Sequence, residues 1–447
     1  MSANGDRQSR KGLSKGKPTA FDDYGRGLAV FGIVLAGAVS AKTVAFTMPL
    51  LGVLLINYTI RFGSDALERR SLILAVAPLS AFLLYALASV GWGQWPDRLL
   101  MSVLTASAIT MLSFSACVIS LTERRLRFVK AMAYGALAGT VASAAYLVVE
   151  VLSEQAIKIW VYNTLEITAV DIRPASFVRW ENGRVVRIFG HDLVRNFLPL
   201  TLWFFTSLAV AWNLKGTAGR VTLIVLLGLV VIATFGGLND TAKLALIAGT
   251  VVILVARWSS RASIRLVQAA WIAACLFVVP VSIAAHDAGM HTWSIVPDSG
   301  KQRILIWNSA ARATLERPLI GIGANMTHAR SQDIEAKSET PALLLFHAHN
   351  AFLQTWYELG AIGALLFMSM GLGLIGAIAR AHARFVPFGL ATFTAGMVHA
   401  AASYGMWQLW YVASFCMAAA LVAIVGRYYE LADSADLGGS GQNAGPA

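Results

Sequence analysis

Charged residues are scarce in this chain of 447 residues: they make up only 13% of it. A soluble domain covers its surface with about a quarter of its residues as Asp, Glu, Lys and Arg, so the shortage excludes a soluble protein of any fold. Cysteine is scarcer still. Cys117, Cys275 and Cys416 all fall within apolar runs, which excludes a disulfide framework in exported loops and suits small core residues. No internal repeat is visible. There is also no succession of short alternating segments of the kind that would build a transmembrane β-barrel.

What the chain has is apolar length. Hydrophobic residues make up 57% and the mean hydropathy is +0.63. Runs of about 18 to 25 residues recur from Leu28 to Val425, each able to cross a hydrocarbon core of roughly 30 Å. The pattern predicts an all-α integral membrane protein with about 12 transmembrane helices. They are expected near 27–41, 43–60, 72–92, 99–121, 129–152, 193–212, 220–236, 244–256, 264–285, 360–379, 386–402 and 404–426.

Charge orients these spans. The segment 1–26 carries Arg7, Arg10, Lys11, Lys15 and Lys17, and no small-residue cleavage site follows a core of signal-peptide length, so the first span is expected to be an uncleaved anchor. With both termini in the cytoplasm, the inside segments hold 21 Lys and Arg against nine acids, and the outside segments 15 against 15. The whole net charge of +12 then lies on the cytoplasmic side, as the positive-inside rule requires. It reports topology rather than nucleic-acid binding. The expected organisation is a basic segment 1–26, spans one to five over 27–152, a first long periplasmic loop 153–192, spans six to nine over 193–285, a large periplasmic loop 286–359, spans ten to twelve over 360–426, and a Gly/Ser/Ala-rich disordered cytoplasmic tail 427–447. Long irregular loops are rarely kept without a use, so function is expected on the outer face.

Within the large loop, Ile304, Trp307, Ala311 and Leu315 predict an amphipathic helix over 302–315, closed by Arg317-Pro318. A second helix is expected over 351–359 with Asn350 as its N-cap, which places His349 just ahead of a helix N-terminus. The outside bases include Lys158, Arg173, Arg179, Arg184, Arg187, Lys301, Arg303, Arg312, Arg317, Arg330 and Lys337, with Arg195 and Lys243 near span ends. A guanidinium forks onto phosphate oxygens, although pairing with acids in the same loops is the ordinary alternative. Arg303 and Trp307 share one helix face. His347-Ala348-His349-Asn350 admits three readings: a His-x-His metal site that lacks a third ligand, a structural histidine, or a general base titrating near neutrality. His399 and Tyr404 suit a cavity or, more simply, helix–helix hydrogen bonds. Few charges lie deep in the spans, which argues against a proton-coupled transporter.

His349-Asn350, nine residues, then Gly360-Ala361-Ile362-Gly363 resembles the His-Asn-x9-Gly-x-x-Gly signature of O-antigen ligases. Ahead of it, Arg303-x3-Trp307 with Pro318-Leu319-Ile320-Gly321-Ile322-Gly323 resembles a block shared with O-antigen polymerases. The resemblance covers the second half of the chain, and the first half only through its span count. It implies a GT-C-like glycosyltransferase that moves O-antigen from undecaprenyl pyrophosphate onto the lipid A–core oligosaccharide, at the periplasmic face of the bacterial inner membrane. The family's Arg of the first long loop is matched best by Arg187, in Arg187-Ile188-Phe189-Gly190-His191-Asp192. Where many relatives have Ser-Arg after the seventh span, this chain has Asn239-Asp240-Thr241-Ala242-Lys243. Lys243 keeps the charge without the fork.

A pyrophosphate leaves as a stable anion, so this chemistry needs a base and fixed positive charge but no carboxylate pair. The resemblance therefore implies an inverting, metal-independent reaction. His349, Arg187 and Arg303 are the expected catalytic residues; Lys243, Arg312, Trp307, Asn350 and His347 are expected at the pyrophosphate and glycan; no cofactor or metal ligand is expected. The rival functions are an O-antigen or exopolysaccharide polymerase, a protein O-oligosaccharyltransferase and, from a different class, a lipid-linked-glycan transporter.

Overall fold

The computed structural model describes residues 19–62, 69–93, 96–165, 178–327 and 348–441. Twelve helices of more than fifteen residues coincide with the expected spans: α1 (Ala20–Val39), α2 (Val44–Phe62), α3 (Arg69–Ser89), α4 (Pro96–Thr122), α5 (Leu126–Leu152), then, after the short α6 (Ala156–Thr164), α7 (Phe197–Trp212), α8 (Gly216–Gly236), α9 (Asp240–Trp258), α10 (Ser260–Asp287), and, after the amphipathic α11 (Asp298–Thr314), α12 (Ala351–Ala379), α13 (Val386–Ala402) and α14 (Leu409–Gly441). Among the described residues, nine of them contain a stretch long and apolar enough to cross a membrane. This is a multi-pass, all-α membrane protein. α1 falls short because Asp22, Asp23 and Arg26 occupy its first two turns, and the apolar parts of α3 and α13 are shorter.

α7 is the axis of the bundle. Every residue from Phe197 to Ala211 is buried, against α5, α8, α9, α13 and α14. Polar side chains inside the bundle are paired across helices, as an apolar surrounding demands. Thr140 and Ser207 lie 2.8 Å apart, and the Ser143 hydroxyl donates to the Val34 carbonyl at 3.1 Å. A second apolar cluster, built around Trp271, Phe352 and Phe367, packs α10 against α12, α13 and α3.

Three features depart from the expected layout. Residues 178–188 form an antiparallel hairpin of β1 (Val178–Glu181) and β2 (Arg184–Ile188). Its turn is Asn182-Gly183, both at positive φ, the backbone that two-residue hairpin turns require. Next, α12 starts at Ala351 and continues past Leu359, so the expected short helix and the tenth span are one element bent at Gly360. Finally, α14 runs on to Gly441 where disorder was expected after Glu430. Asp433 explains the extension: it pairs with His382 at 2.7 Å and with Arg384, tying α14 to the loop between α12 and α13.

The bundle has two chemically distinct ends. At one, Tyr58 donates to Asp23 while Arg26 and Arg125 flank its ring, and Arg427 donates to the Glu123 carbonyl. At the other lie α6, the hairpin, α11 and the start of α12.

Candidate active site

The Pro-x-x-Gly-x-Gly segment and the Gly360 bend are two halves of one construction. Gly360 has φ 64° and ψ −164°, a backbone region that is almost exclusively glycine's. The bend strands helical groups on both sides, and each must find a partner. The loop supplies them. The N–H groups of Ile322 and Gly323 donate to the carbonyls of Tyr357 and Glu358, at 3.2 and 2.8 Å. In return the N–H groups of Ala361 and Ile362 donate to the carbonyls of Pro318 and Leu319, at 2.8 and 3.3 Å. Contact is backbone to backbone: a Cβ on Gly321 would stand 2.3 Å from the Glu358 oxygen, and one on Gly360 2.4 Å from Leu319. The Glu358 carboxylate, fully buried, accepts from the backbone N–H of Asn325 at 2.8 Å and of Thr327 at 3.2 Å, from Gln354, and from the Trp407 indole. It clamps the loop to α12 and to the turn before α14.

This frame holds the start of α12, where His349 sits. Asn350 is the expected N-cap, its side chain accepting from the Leu353 N–H at 3.1 Å. His349 itself has φ 52°, a left-handed conformation unusual for a residue with a side chain. Two contacts hold it there. The Trp307 indole N–H donates to the Ala348 carbonyl at 3.0 Å, and His349 Nδ1 lies 2.7 Å from the Ser403 carbonyl oxygen. A carbonyl can only accept, so Nδ1 carries the proton and, in the neutral ring, Nε2 carries the lone pair.

Arg303, one turn before Trp307 on α11, is half-buried. Among the described residues it makes no hydrogen bond or ion pair; its electrostatic neighbours are Tyr404 and Asp240. Burial pulls its pKa below the ordinary arginine value, though a guanidinium stays charged. Burial also pushes the His349 pKa below its usual value. The Ser403 carbonyl opposes this and the Arg303 charge adds to it. A neutral imidazole with a basic nitrogen beside a guanidinium with spare donors is equipped to remove a proton and to receive an anion.

The other expected cations are engaged elsewhere. Lys243 pairs with Asp240 at 3.0 Å, within a turn of α9. Arg312 pairs with Asp287 at 2.7 Å and is 53% exposed. Arg187 stands on β2, 58% exposed, 3.7 Å from Glu154 and over the Phe189 ring. It lines an open cavity of about 540 Å³ with Leu152, Ile159 and Trp160, and no contact joins it to Arg303 or His349 among the described residues. His347 lies outside the described residues. Ser403, Glu358 and Arg195 were not among the expected site residues. Arg195 lies beside the Tyr404 hydroxyl, which also faces Arg303. Glu358 left a faint trace as a lone acid in an apolar run; Ser403 acts through its backbone and left none.

Comparison with known proteins finds relatives of the segment that holds this site. Residues 222–368 match the family described as O-antigen ligase. Similar proteins provisionally named polysaccharide ligases occur in Rickettsia conorii (27% identity over 173 residues, 37% of this chain and 42% of that protein), in Rickettsia bellii (34% over 129 residues, 26% and 30%) and in Rickettsia typhi (24% over 181 residues, 37% and 42%). The chain thus spans about two fifths or less of the length of these relatives. The matched segment contains Arg303, Trp307, the glycine loop, His349 and the Gly360 bend, and over that segment the chain is similar to O-antigen ligases and to proteins provisionally named polysaccharide ligases.

Proposed function

We propose that this protein is an inverting, metal-independent glycosyltransferase. In this reading it transfers O-antigen from undecaprenyl pyrophosphate to the lipid A–core oligosaccharide, at the periplasmic face of the inner membrane. The observation that carries the proposal is the placement of a neutral His349, its Nδ1–H held by the Ser403 carbonyl so that Nε2 is the basic nitrogen, next to the Arg303 guanidinium.

In this mechanism Nε2 accepts the proton of an acceptor sugar hydroxyl as its oxygen attacks the anomeric carbon of the donor. The new C–O bond forms as the bond from that carbon to the pyrophosphate oxygen breaks, on the opposite face of the ring. The electron pair leaves with the pyrophosphate, whose charge Arg303 receives through charge-assisted hydrogen bonds, with Arg195 close by across Tyr404. The proton on His349 then passes to water. No carboxylic acid is needed for a leaving group this stable.

The charge of the two ends of the bundle supports this orientation. Arg26, Arg125, Arg384 and Arg427 belong to segments predicted inside by their charge. Arg303 and His349 belong to the large outside loop. The test is reconstitution of the purified protein with an undecaprenyl-pyrophosphate-linked oligosaccharide and rough lipopolysaccharide, in EDTA, read as a gel shift of the lipopolysaccharide. Transfer to lipid A–core supports the ligase. Elongation of the lipid-linked glycan instead would make the protein a polymerase.

A further inference from the structure

Behind His349 lies a chain of side chains with no part in the chemistry above. Thr201, in the second turn of α7, has its hydroxyl within hydrogen-bond reach of the backbone carbonyls of Phe197 at 2.9 Å and Leu198 at 3.3 Å. The same hydroxyl lies 2.8 Å from His399 Nε2, a hydrogen bond that either tautomer of the ring can make. On the other side of the ring, His399 Nδ1 and the Ser403 hydroxyl are hydrogen-bonded at 3.2 Å. The carbonyl of the same Ser403 accepts from His349 Nδ1–H. His399 and Thr201 are fully buried and Ser403 nearly so. Two further hydroxyls fix the same end of α13: Tyr411 on α14 donates to the His399 carbonyl at 2.9 Å, and Thr241 on α9 to the Ala402 carbonyl at 3.2 Å.

We infer that Thr201, His399 and Ser403 are positioning residues for His349: they aim the Ser403 carbonyl that fixes the tautomer and direction of the imidazole. The chain carries no proton to or from the active site, because it passes through the Ser403 backbone and not through a continuous line of exchangeable hydrogens. Its contribution is geometric, and misplacement of a catalytic group is costly in rate even when nothing touching the substrate has changed. The inference rests on the reading of His349 as the base.

The experiment compares Thr201→Val, Ser403→Ala and His349→Ala with wild type, using undecaprenyl-pyrophosphate-linked oligosaccharide and rough lipopolysaccharide. Thr201→Val removes the hydroxyl bonded to His399 Nε2 with little change of shape, and Ser403→Ala removes the hydroxyl bonded to His399 Nδ1 while leaving the carbonyl. Each is expected to lower kcat by roughly 10- to 100-fold with the KM for the donor unchanged, and Thr201→Ser and Ser403→Thr to restore it. The pH profile supplies a readout that loss of folding would not move. The Nδ1–H bond to Ser403 favours the charged ring, so loosening it shifts the acid limb of kcat to lower pH. Arg303 on α11, the charged group facing the ring, and Tyr404 beside the 399–403 segment are untouched in these variants. If Thr201→Val does not insert, Ser403→Ala reads the same step. Wild-type kcat and an unmoved acid limb in both, with His349→Ala inactive, would overturn the positioning chain and leave the base intact. An active His349→Ala would overturn both.

Discussion

The indole N–H of Trp307 donates to the carbonyl of Ala348 at 3.0 Å, joining α11 to the residue immediately before His349. This bond explains the spacing of Arg303 and Trp307. One helix face presents the cation, and one turn later it fastens the segment that carries His349. Trp307→Phe keeps an aromatic ring in the apolar cluster with Leu353 but leaves the Ala348 carbonyl without its donor. The expected result is a stability loss of about 1 kcal/mol and a larger fall in kcat than in donor affinity, measured by thermal unfolding in detergent and by transfer kinetics. Equal kinetics with lowered stability would confine Trp307 to folding.

Replacing Gly360 should be far more damaging than replacing a glycine in the same helix. Gly360→Ala forces a Cβ against the Leu319 backbone at a φ that side chains rarely adopt. Gly373→Ala meets only Pro78, at 3.9 Å. The first variant should lose more than the roughly 1–3 kcal/mol of a strained backbone and yield little folded protein. The second should purify and melt like wild type, as size-exclusion and melting profiles will show.

Arg303→Lys is predicted to be damaging although it conserves charge. A single ammonium cannot reproduce a forked contact with two phosphate oxygens. A lost charge-assisted bond is worth roughly 1.5–3 kcal/mol, or about 10- to 100-fold in transfer rate. Turnover near wild type at equal protein level would remove Arg303 from the leaving group.

The pH dependence follows from the direction of the His349 shift. In the proposed mechanism His349 acts in its neutral form, so activity is expected to be lost as pH falls through its pKa. Burial, aided by Arg303 and opposed by the Ser403 carbonyl, holds that pKa below the ordinary histidine value of about 6.5. The acid limb of kcat should therefore lie below pH 6.5, with no loss from His349 at neutral pH. A limb above 6.5 would assign the titration to another group.

The spans were legible because apolar length is a one-dimensional signal, and α4, α5, α8 and α10 needed nothing more. The hairpin was legible too: Asn182-Gly183 between Val178 and Ile188 is a strong turn signal, but the segment was read only as part of the long loop 153–192. His349, Asn350, Arg303 and Trp307 stood out by type and spacing, and the structure gathers them around the start of α12. Which cations are spare was not legible. Asp240, Asp287 and Glu154 engage Lys243, Arg312 and Arg187 through contacts that only the folded chain fixes, two of them between separate elements. The exchange of backbone bonds between residues 318–323 and the Gly360 bend was hidden for the same reason: the glycines are visible in the sequence and their partners are not.

The central claim, that His349 is the base and Arg303 holds the pyrophosphate, is tested most directly by His349→Ala. Transfer to rough lipopolysaccharide and binding of the undecaprenyl-pyrophosphate-linked oligosaccharide are measured on the same purified protein. Loss of a general base costs roughly 10²–10⁴-fold in rate, while the guanidinium that binds the donor is untouched. The account predicts a loss of that depth with donor affinity within a few-fold of wild type. Transfer at the wild-type rate would contradict it outright, and a matching collapse of donor binding would move His349 from the base to the binding site.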